Sequence, residues 1–89
     1  MTTSRDPQPP AEAVTVRYWA AAREAAGTSE ESRPPGSVRD ILAGAAADHP
    51  GLDQVLAVAS TLLDGVASGL DDPAPGGSIL EVLPPFAGG

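Results

Sequence analysis

Val14-Thr-Val-Arg-Tyr-Trp19 is the stretch that decides the fold of this 89-residue chain. Val14, Val16 and Tyr18 alternate with more polar residues, and a period of two is typical of a β-strand with one buried face. We therefore predict the first strand here, in a central position, with Tyr18 in the core. The side chain of Trp19 is expected on the other face. The sequence leaves open whether it contacts a partner there or packs under a second layer of structure.

The segment after this strand predicts a helical turn and then a weak strand. Ala20 to Ala26 is rich in alanine and is closed by Gly27, which is typical of a helix C-terminus. Glu30 to Arg33 is short and charged, and Pro34-Pro35-Gly36 follows at once. The sequence leaves open whether a second strand forms there.

The clearest helix of the chain begins after Ser37. Ser37 and Asp40 have the spacing of a capping box. The next residues place one apolar face at helical spacing, formed by Val38, Ile41, Leu42 and Ala45. His49-Pro50-Gly51 ends the helix, so we interpret His49 as a C-terminal cap rather than a metal ligand. The same apolar spacing over residues 52–59 predicts a short second helix.

A hairpin and a last strand follow. Asp64-Gly65 between Ser60–Leu63 and Val66–Ser68 indicates a type I′ turn. Residues 70–78 are rich in Asp, Pro and Gly and predict a loop, with Asp71 and Asp72 in a solvated turn. Ile79 to Leu83 is a short apolar run, which indicates a buried strand beside the first.

This order of elements predicts an α+β fold with one domain. We expect a mixed sheet of about four or five strands with one main helix across it, and a ubiquitin-like β-grasp arrangement fits that order. Residues 1–12 are polar and rich in proline, which predicts a disordered arm. Residues 13–83 form the domain, and residues 84–89 form a flexible C-terminal tail.

The tail carries the strongest functional signal. It reads Pro84-Pro85-Phe86-Ala87-Gly88-Gly89, and glycine has no Cβ, so this segment can thread a narrow channel and present a carboxylate to an enzyme. The two prolines favour an extended path with little entropy to lose. The sequence leaves open two positions for Phe86, an exposed anchor for a partner, which we favour, or a side chain folded back on the sheet.

Composition excludes several classes of function. The chain has no cysteine, which excludes a disulfide framework, a thiolate metal site and a cysteine nucleophile. Its formal net charge of −7 disfavours nucleic acid and anionic membranes and suits a basic protein partner. No apolar run has the length of a membrane span, and no signal peptide is visible, so we expect a cytoplasmic protein. We predict no catalytic residues and no metal site within the chain.

Two separated motifs resemble the small subunit of molybdopterin synthase, the MoaD type of sulfur carrier in the MoaD/ThiS ubiquitin-like family. The first is the strand ending in Tyr18-Trp19, followed by Ala-x-x-Arg-Glu-x-x-Gly over residues 20–27. The second is Leu83-Pro-Pro-Phe-Ala-Gly-Gly89. The resemblance covers residues 13–89. It departs at Glu30 to Arg33, where that family has an apolar strand, and at Gly76-Gly77, where it commonly has an acidic residue.

This resemblance implies a β-grasp carrier that is not itself an enzyme. An ATP-dependent activating enzyme adenylates the C-terminal glycine, here Gly89, and a sulfur donor protein supplies the sulfur of a thiocarboxylate. Gly88, Ala87, Phe86, Pro85 and Pro84 form the tail that enters the large subunit, where sulfur passes to the pterin precursor of the molybdenum cofactor. Trp19, Leu83 and Phe86 are the partner contacts we expect, and no cofactor is bound.

Three alternatives remain open from the sequence. The chain is a sulfur carrier for thiamine, cysteine or a thio-containing natural product, or a ubiquitin-like modifier joined to lysines of other proteins, or a plain β-grasp interaction module. The Tyr-Trp-Ala-x-x-x-Arg-Glu stretch favours the molybdopterin type over the thiamine type.

Overall fold

The computed structural model describes residues 12–85. The elements in chain order are β1 (Val14–Tyr18), α1 (Ala21–Ala26), β2 (Glu30–Arg33), β3 (Gly36–Ser37), α2 (Val38–Asp48), α3 (Leu52–Leu56), β4 (Ser60–Leu63), β5 (Val66–Ser68), β6 (Pro73–Ala74) and β7 (Ile79–Leu83).

The main sheet has five strands in the order β2-β1-β7-β4-β5, and its centre is the pair of β1 and β7. These two strands run parallel, with Thr15 paired to Ile79 and Tyr18 paired to Val82. The neighbouring strand pairs in this sheet are antiparallel. The prediction that the last strand lies beside the first is confirmed, and the mixed sheet with α2 across it is an α+β fold of the ubiquitin-like β-grasp type.

One face of this sheet packs against all three helices. Alternate residues of the central strands are buried there, including Val14, Val16, Tyr18, Leu80 and Val82. The helices contribute the other side of the same core, with Ala22, Ala26, Val38, Ile41, Leu42, Ala45 and Leu52. The apolar face that the spacing of α2 predicts is therefore the face that it buries.

The start of α2 is closely capped. The Ser37 hydroxyl oxygen accepts a hydrogen bond of 3.0 Å from the Asp40 N–H, as the sequence predicts. The N–H groups of Val38 and Arg39 donate to the carbonyl oxygens of Asp72 and Leu70. The first-turn donors at these three positions are thus satisfied within the chain.

The turn between β4 and β5 also organises the start of β7. Asp64 and Gly65 have φ values of 51° and 83°, which is the positive pair that a type I′ turn requires. The Asp64 carboxylate accepts from the Ile79 N–H at 2.9 Å, and the Asp64 N–H donates to the Ile79 carbonyl at 2.8 Å. The predicted hairpin is confirmed, and its aspartate ties it to the last strand.

Two local features differ from the simplest interpretation of the sequence. Glu30–Arg33 does form a strand, because its backbone pairs with β1 and because Glu31 and Arg33 find charged partners under the sheet. The predicted loop over residues 70–78 contains β6, whose pairing with β3 makes a second, two-stranded sheet. Only two residue pairs join β3 and β6 in this second sheet, so side-chain patterning gives little signal for it.

Gly76 and Gly77 are required where the chain passes Glu12. A Cβ on Gly76 would lie 2.2 Å from the Glu12 carbonyl oxygen, far inside contact distance. Gly77 has φ of 88°, a conformation that side chains disfavour, and its N–H donates to the Ala13 carbonyl at 3.0 Å. The two glycines therefore let the loop before β7 close against the chain entering β1.

We predict that Gly76→Ala lowers the free energy of unfolding by about 1–3 kcal/mol, because the methyl group must displace backbone at Glu12. The matched control is Gly69→Ala, since a Cβ there has no atom within 4 Å. That variant should stay within about 0.5 kcal/mol of the parent. Urea unfolding followed by circular dichroism measures both, and equal losses would contradict this account of Gly76.

Candidate functional site: the open sheet face and the base of the tail

The base of the C-terminal tail lies in the middle of the sheet. β7 has β1 on one side and β4 on the other, and its last residue, Leu83, is paired with Ser60. Pro84 is half-buried and Pro85 is exposed. Proline has no N–H to donate, so the hydrogen-bonded ladder ends here. The other predicted tail residues, Phe86, Ala87, Gly88 and Gly89, lie outside the described residues.

The open face of the sheet brings together two of the predicted contact residues. Trp19 continues the register of β1 by one position beyond the Tyr18–Val82 pair, which places it beside Leu83. Its N–H donates to the Val82 carbonyl at 3.2 Å. The Trp19 side chain is 46% exposed, so among the described residues no second layer buries it.

The indole ring of Trp19 is held by a hydrogen bond across the sheet. Its Nε1–H donates to the Glu81 carboxylate at 3.1 Å. Glu81 is paired with Arg17 in the parallel ladder and with Leu62 in the antiparallel one, so it stands in the centre of the open face. An aromatic residue with one polar anchor and a large exposed area is typical of an interface contact.

The turn after Trp19 is strained. Ala20 has φ of 51°, which is uncommon for a residue with a Cβ, and its carbonyl accepts from the Glu24 N–H as α1 begins. Such strain costs on the order of 1–3 kcal/mol and persists only where the surroundings impose it. Here it accompanies an abrupt change from strand to helix, which leaves Trp19 at the rim of the open face.

A cluster of polar side chains lies on the helix side of the sheet, next to the edge strand β2. We call it the Glu31 cluster (Tyr18, Glu31, Arg33, Asp48 and His49). The Tyr18 hydroxyl donates to the Glu31 carboxylate at 2.5 Å, and Arg33 donates to the same oxygen at 3.2 Å. Nε2 of His49 lies 3.0 Å from both Glu31 oxygens. Arg33 also pairs with Asp48 at 2.7 Å, so the cluster ties β2 to the end of α2.

Hydrogen bonds within the Glu31 cluster shift the pKa values of its side chains. Burial alone would raise the pKa of the Glu31 carboxyl, but hydrogen bonds from Tyr18, His49 and Arg33 outweigh it and lower that pKa. Burial would likewise lower the pKa of Arg33, and its bonds to Asp48 and Glu31 reverse the direction. Burial and the Glu31 carboxylate raise the pKa of the Tyr18 hydroxyl.

Sequence reasoning did not find this cluster. His49 does end α2, with its N–H donating to the Ala45 carbonyl, as predicted for a cap. Its side chain instead reaches Glu31, which is eighteen positions away in the chain. The sequence offered one signal for this cluster. Glu31 and Arg33 are two positions apart in a strand, so they share a face, and charges that face inward at a sheet edge need partners.

The acidic residues of the loop over residues 70–78 lie at the surface in separate local contacts. Asp71 pairs with Arg39 at 3.0 Å at the surface, and the Asp72 carboxylate accepts from the Gly69 N–H at 2.8 Å. Over residues 12–85 there is no group of three His, Asp or Glu side chains placed to hold a metal ion. In that same part of the chain, the helices are too short or too polar to cross a membrane.

Comparison with known proteins gives matches by structure. No family model matches the sequence, and no curated protein matches it. Small archaeal modifier protein 1 from Methanosarcina acetivorans is 26% identical, with a TM-score of 0.78 over 89% of this chain and 98% of that one. A Pyrococcus furiosus protein described as molybdopterin converting factor, subunit 1, is 26% identical, with a TM-score of 0.74 over 84% and 99% of the two chains.

A third neighbour is a chain in the complex of subunits 1 and 2 of the molybdopterin-converting factor from Helicobacter pylori. It is 22% identical, with a TM-score of 0.65 over 86% of this chain and 99% of that one. At this sequence identity, the similarity shows a shared fold and nothing further.

The fold is the ubiquitin-like β-grasp fold of these neighbours, which are described as small modifier proteins and as molybdopterin-converting-factor subunits. The resemblance to the MoaD type of molybdopterin synthase small subunit is confirmed by structural similarity to a molybdopterin converting factor subunit 1. The same comparison places small archaeal modifier protein 1 equally near.

The Glu31 cluster predicts an acid-dependent loss of stability. The lowered pKa of Glu31 means that its contribution is present above the pKa of the unfolded chain and is lost as the pH falls through the folded-state pKa. Glu31→Gln should therefore destabilise the protein by roughly 1–3 kcal/mol at neutral pH, and the gap to the parent should narrow towards about pH 3.

Chemical denaturation at a series of pH values measures this gap. The control is Glu30→Gln, because Glu30 lies on the same strand in an exposed pair with Arg17. Exposed pairs contribute roughly 0–1 kcal/mol, so this control should change stability little at any pH. A gap for Glu31→Gln that stays constant with pH would contradict the assignment.

Proposed function

We propose that this protein is a sulfur carrier that acts as the small subunit of molybdopterin synthase, with Gly89 as the residue that carries the sulfur. The observation that carries the proposal is the placement of the base of the tail. The central strand β7 ends at Leu83 beside the open sheet face, and Pro84-Pro85-Phe86-Ala-Gly-Gly89 follows it in the sequence. The similarity to subunit 1 of a molybdopterin converting factor supports it.

The proposed chemistry begins with the Gly89 carboxylate. A carboxylate is a poor electrophile, because its charge is delocalised and it lacks a good leaving group. Transfer of an adenylyl group from ATP, with release of pyrophosphate, makes an acyl-adenylate. Hydrosulfide provided by the sulfur donor then attacks the carbonyl carbon, AMP leaves and the S–H proton is lost to solvent, so that the terminus becomes a thiocarboxylate. The nucleotide supplies the leaving group, and the carrier supplies position.

In this scheme the carrier extends its C-terminal tail into the partner's site, and little conformational entropy of the tail is lost when it binds. Pro84 and Pro85 restrict φ and prefer an extended path, which limits the ordering cost when the tail enters a partner. Gly88 and Ala87 keep the segment narrow, and Phe86 anchors it. Because β7 is paired on both sides, the tail starts from a rigid position rather than from a loose end.

The open face supplies the proposed docking surface for the large subunit. Trp19 and Leu83 lie side by side at the point where the tail leaves the sheet, so a partner that accepts the tail also meets the indole ring. A solved neighbour is a complex of subunits 1 and 2 of a molybdopterin-converting factor, which agrees with a partner of this kind.

The other partners follow from the chemistry. We propose an ATP-dependent activating enzyme and a sulfur donor protein, with no cofactor resident in this chain and ATP consumed by the enzyme. The carrier has no catalytic residues of its own in this scheme. The net charge of −7 argues against nucleic acid and anionic membranes as partners, and we place the protein in the cytoplasm.

A second candidate function is protein modification, and the similarity to small archaeal modifier protein 1 favours it. In that case a lysine amine of a target protein, rather than a sulfur nucleophile, attacks the activated Gly89 carbonyl. The products differ, since a modifier leaves an isopeptide-linked glycine remnant on its targets. A carrier for another sulfur pathway shares the adenylation of Gly89 and differs only in the molecule that accepts the sulfur.

The first test is the intact mass of the protein after incubation with its host's activating enzyme, ATP and a sulfur donor. We expect a shift equal to the replacement of one oxygen by sulfur. A variant without Gly88 and Gly89 should fold normally and show no shift, because the tail lies beyond the paired strands. Transfer of this sulfur to a pterin precursor by the large subunit then distinguishes the pathway.

Two outcomes would count against the carrier proposal. Full mass shift in the truncated variant would exclude Gly89 as the acceptor. Absence of a shift in the parent, together with glycine remnants on lysines of other proteins, would favour the modifier.

Trp19 provides a test of the docking surface. Trp19→Ala should weaken binding to the molybdopterin synthase large subunit by roughly tenfold or more, as for a buried aromatic contact. The matched control is Val66→Ala, because Val66 is 70% exposed on a strand at the sheet edge, away from the tail. Calorimetric titration measures both, and an equal effect of the two substitutions would contradict a docking role for the Trp19 face.

A further inference from the structure

A second apolar groove lies at the other side of the sheet, on the face that the helices cover. It has a volume of about 410 Å³ and runs between the segment after α3 and the ends of β4 and β5. Its apolar lining includes Leu42, Leu56, Ala59, Ala67 and Leu70. Thr61, which also lines it, is paired with Val82 and faces the core side, so this groove is separate from the open face around Trp19.

The groove exposes a large apolar side chain. Leu70, which lines it, is 45% exposed. The other exposed large apolar residues among those described are Trp19, Val58 and Val66, and none of them lines the groove. Exposed apolar surface gathered around a concavity marks an interaction site.

No charged side chain lines the groove, and the charges that flank its lining residues are mostly acidic. All arginines lie at or before Arg39 and there is no lysine, so residues 40–89 carry seven acidic side chains and no arginine or lysine: Asp40, Asp48, Asp53, Asp64, Asp71, Asp72 and Glu81. Asp53 lies one helical turn before Leu56, and Asp71 and Asp72 directly follow Leu70. Arg39 pairs with Asp71, but both side chains are largely exposed, so this pair offsets the acidic potential only in part.

We propose that this groove is a docking site for a basic segment of a partner protein, which inserts an apolar side chain flanked by arginines or lysines. The acidic rim attracts such a segment and fixes its register, and the groove supplies the apolar contact. A second copy of this chain does not fit, because two surfaces with a net charge of −7 per chain repel each other. The site uses neither Gly89 nor the open face, so it goes beyond the proposed sulfur chemistry.

The test uses a synthetic probe, the acetylated and amidated peptide Arg-Arg-Leu-Phe-Arg-Arg, titrated into isotopically labelled protein at low salt. Amide shifts in NMR spectra should concentrate at the groove, around Ala59, Ala67 and Leu70. A peptide with Ser-Ser in place of Leu-Phe should bind at least several-fold more weakly, because it keeps the charge and loses the apolar anchor.

One substitution separates apolar docking from simple charge attraction. Leu70→Asp removes an apolar rim residue and adds a negative charge, so docking in the groove predicts roughly tenfold weaker binding, whereas attraction by charge alone predicts tighter binding. Ser32→Asp adds the same charge on β2, at the opposite edge of the sheet, and should not weaken binding. Leu70→Ala, which adds no charge, should also weaken binding.

The proposal is overturned by any of three results. The first is Leu70→Asp binding the peptide as tightly as the parent or more tightly. The second is a set of shifts spread over acidic positions all round the molecule, with equal affinity for the Ser-Ser peptide. The third is a concentration dependence of the groove signals without peptide, which would make a second copy the occupant. Because none of these measurements involves sulfur transfer, failure here leaves the proposed function standing.

Discussion

The parallel pairing of β1 with β7 is the constraint on which the rest of this structure depends. Two parallel neighbours cannot be joined by a tight turn, so the chain between them must cross over the sheet. In this protein the crossover contains α2, which buries Val38, Ile41, Leu42 and Ala45 against the inner face. Within residues 12–85 the helices then lie on one side of the sheet, and no element covers the outer face.

The same pairing fixes the position of the last strand and of the base of the tail. A last strand at the edge of a sheet would be free to fray, whereas β7 is held by β1 and β4 together. Asp64 secures its start through two hydrogen bonds to Ile79, and Leu83 at its end is still paired with Ser60. In the proposed function, a rigid base benefits the terminus, because less freedom is lost when it binds an enzyme.

The sheet edge at β2 shows how a charged sequence is made to fold as a strand. Glu31 and Arg33 face the helix side, where Tyr18, His49 and Asp48 satisfy them. A buried charge without these partners would be strongly unfavourable. The cluster thus replaces the apolar contacts that this strand lacks, and charge at the edge also discourages pairing with other chains.

The two proposed surfaces divide the molecule. The open face with Trp19 and Leu83 lies where the tail leaves the sheet, and we propose it for partners that accept the tail. The groove beside Leu70 lies on the helix side, within the half of the sequence that has no arginine or lysine. Under the proposed carrier function, separate surfaces would allow a contact that leaves the tail free.

Much of the fold could be predicted from the sequence because its signals are local. The alternation in Val14–Tyr18, the capping pair of Ser37 and Asp40, and the Asp64-Gly65 turn each depend on residues within one element. The pairing of the first and last strands followed from their apolar character. The glycine tail was visible for the same reason, since its chemistry is a property of six consecutive residues.

Only the tertiary structure decided the features that depend on distant residues meeting. No local pattern places His49 on Glu31, Trp19 on Glu81, or Gly76 against Glu12. The short pair of β3 and β6 rests on backbone hydrogen bonds, which leave no side-chain signature. The groove beside Leu70 exists only because α3, β4 and β5 end at the same side of the sheet. Local preferences depend on residues that are neighbours in the sequence, whereas these contacts depend on the packing that brings distant parts of the chain together.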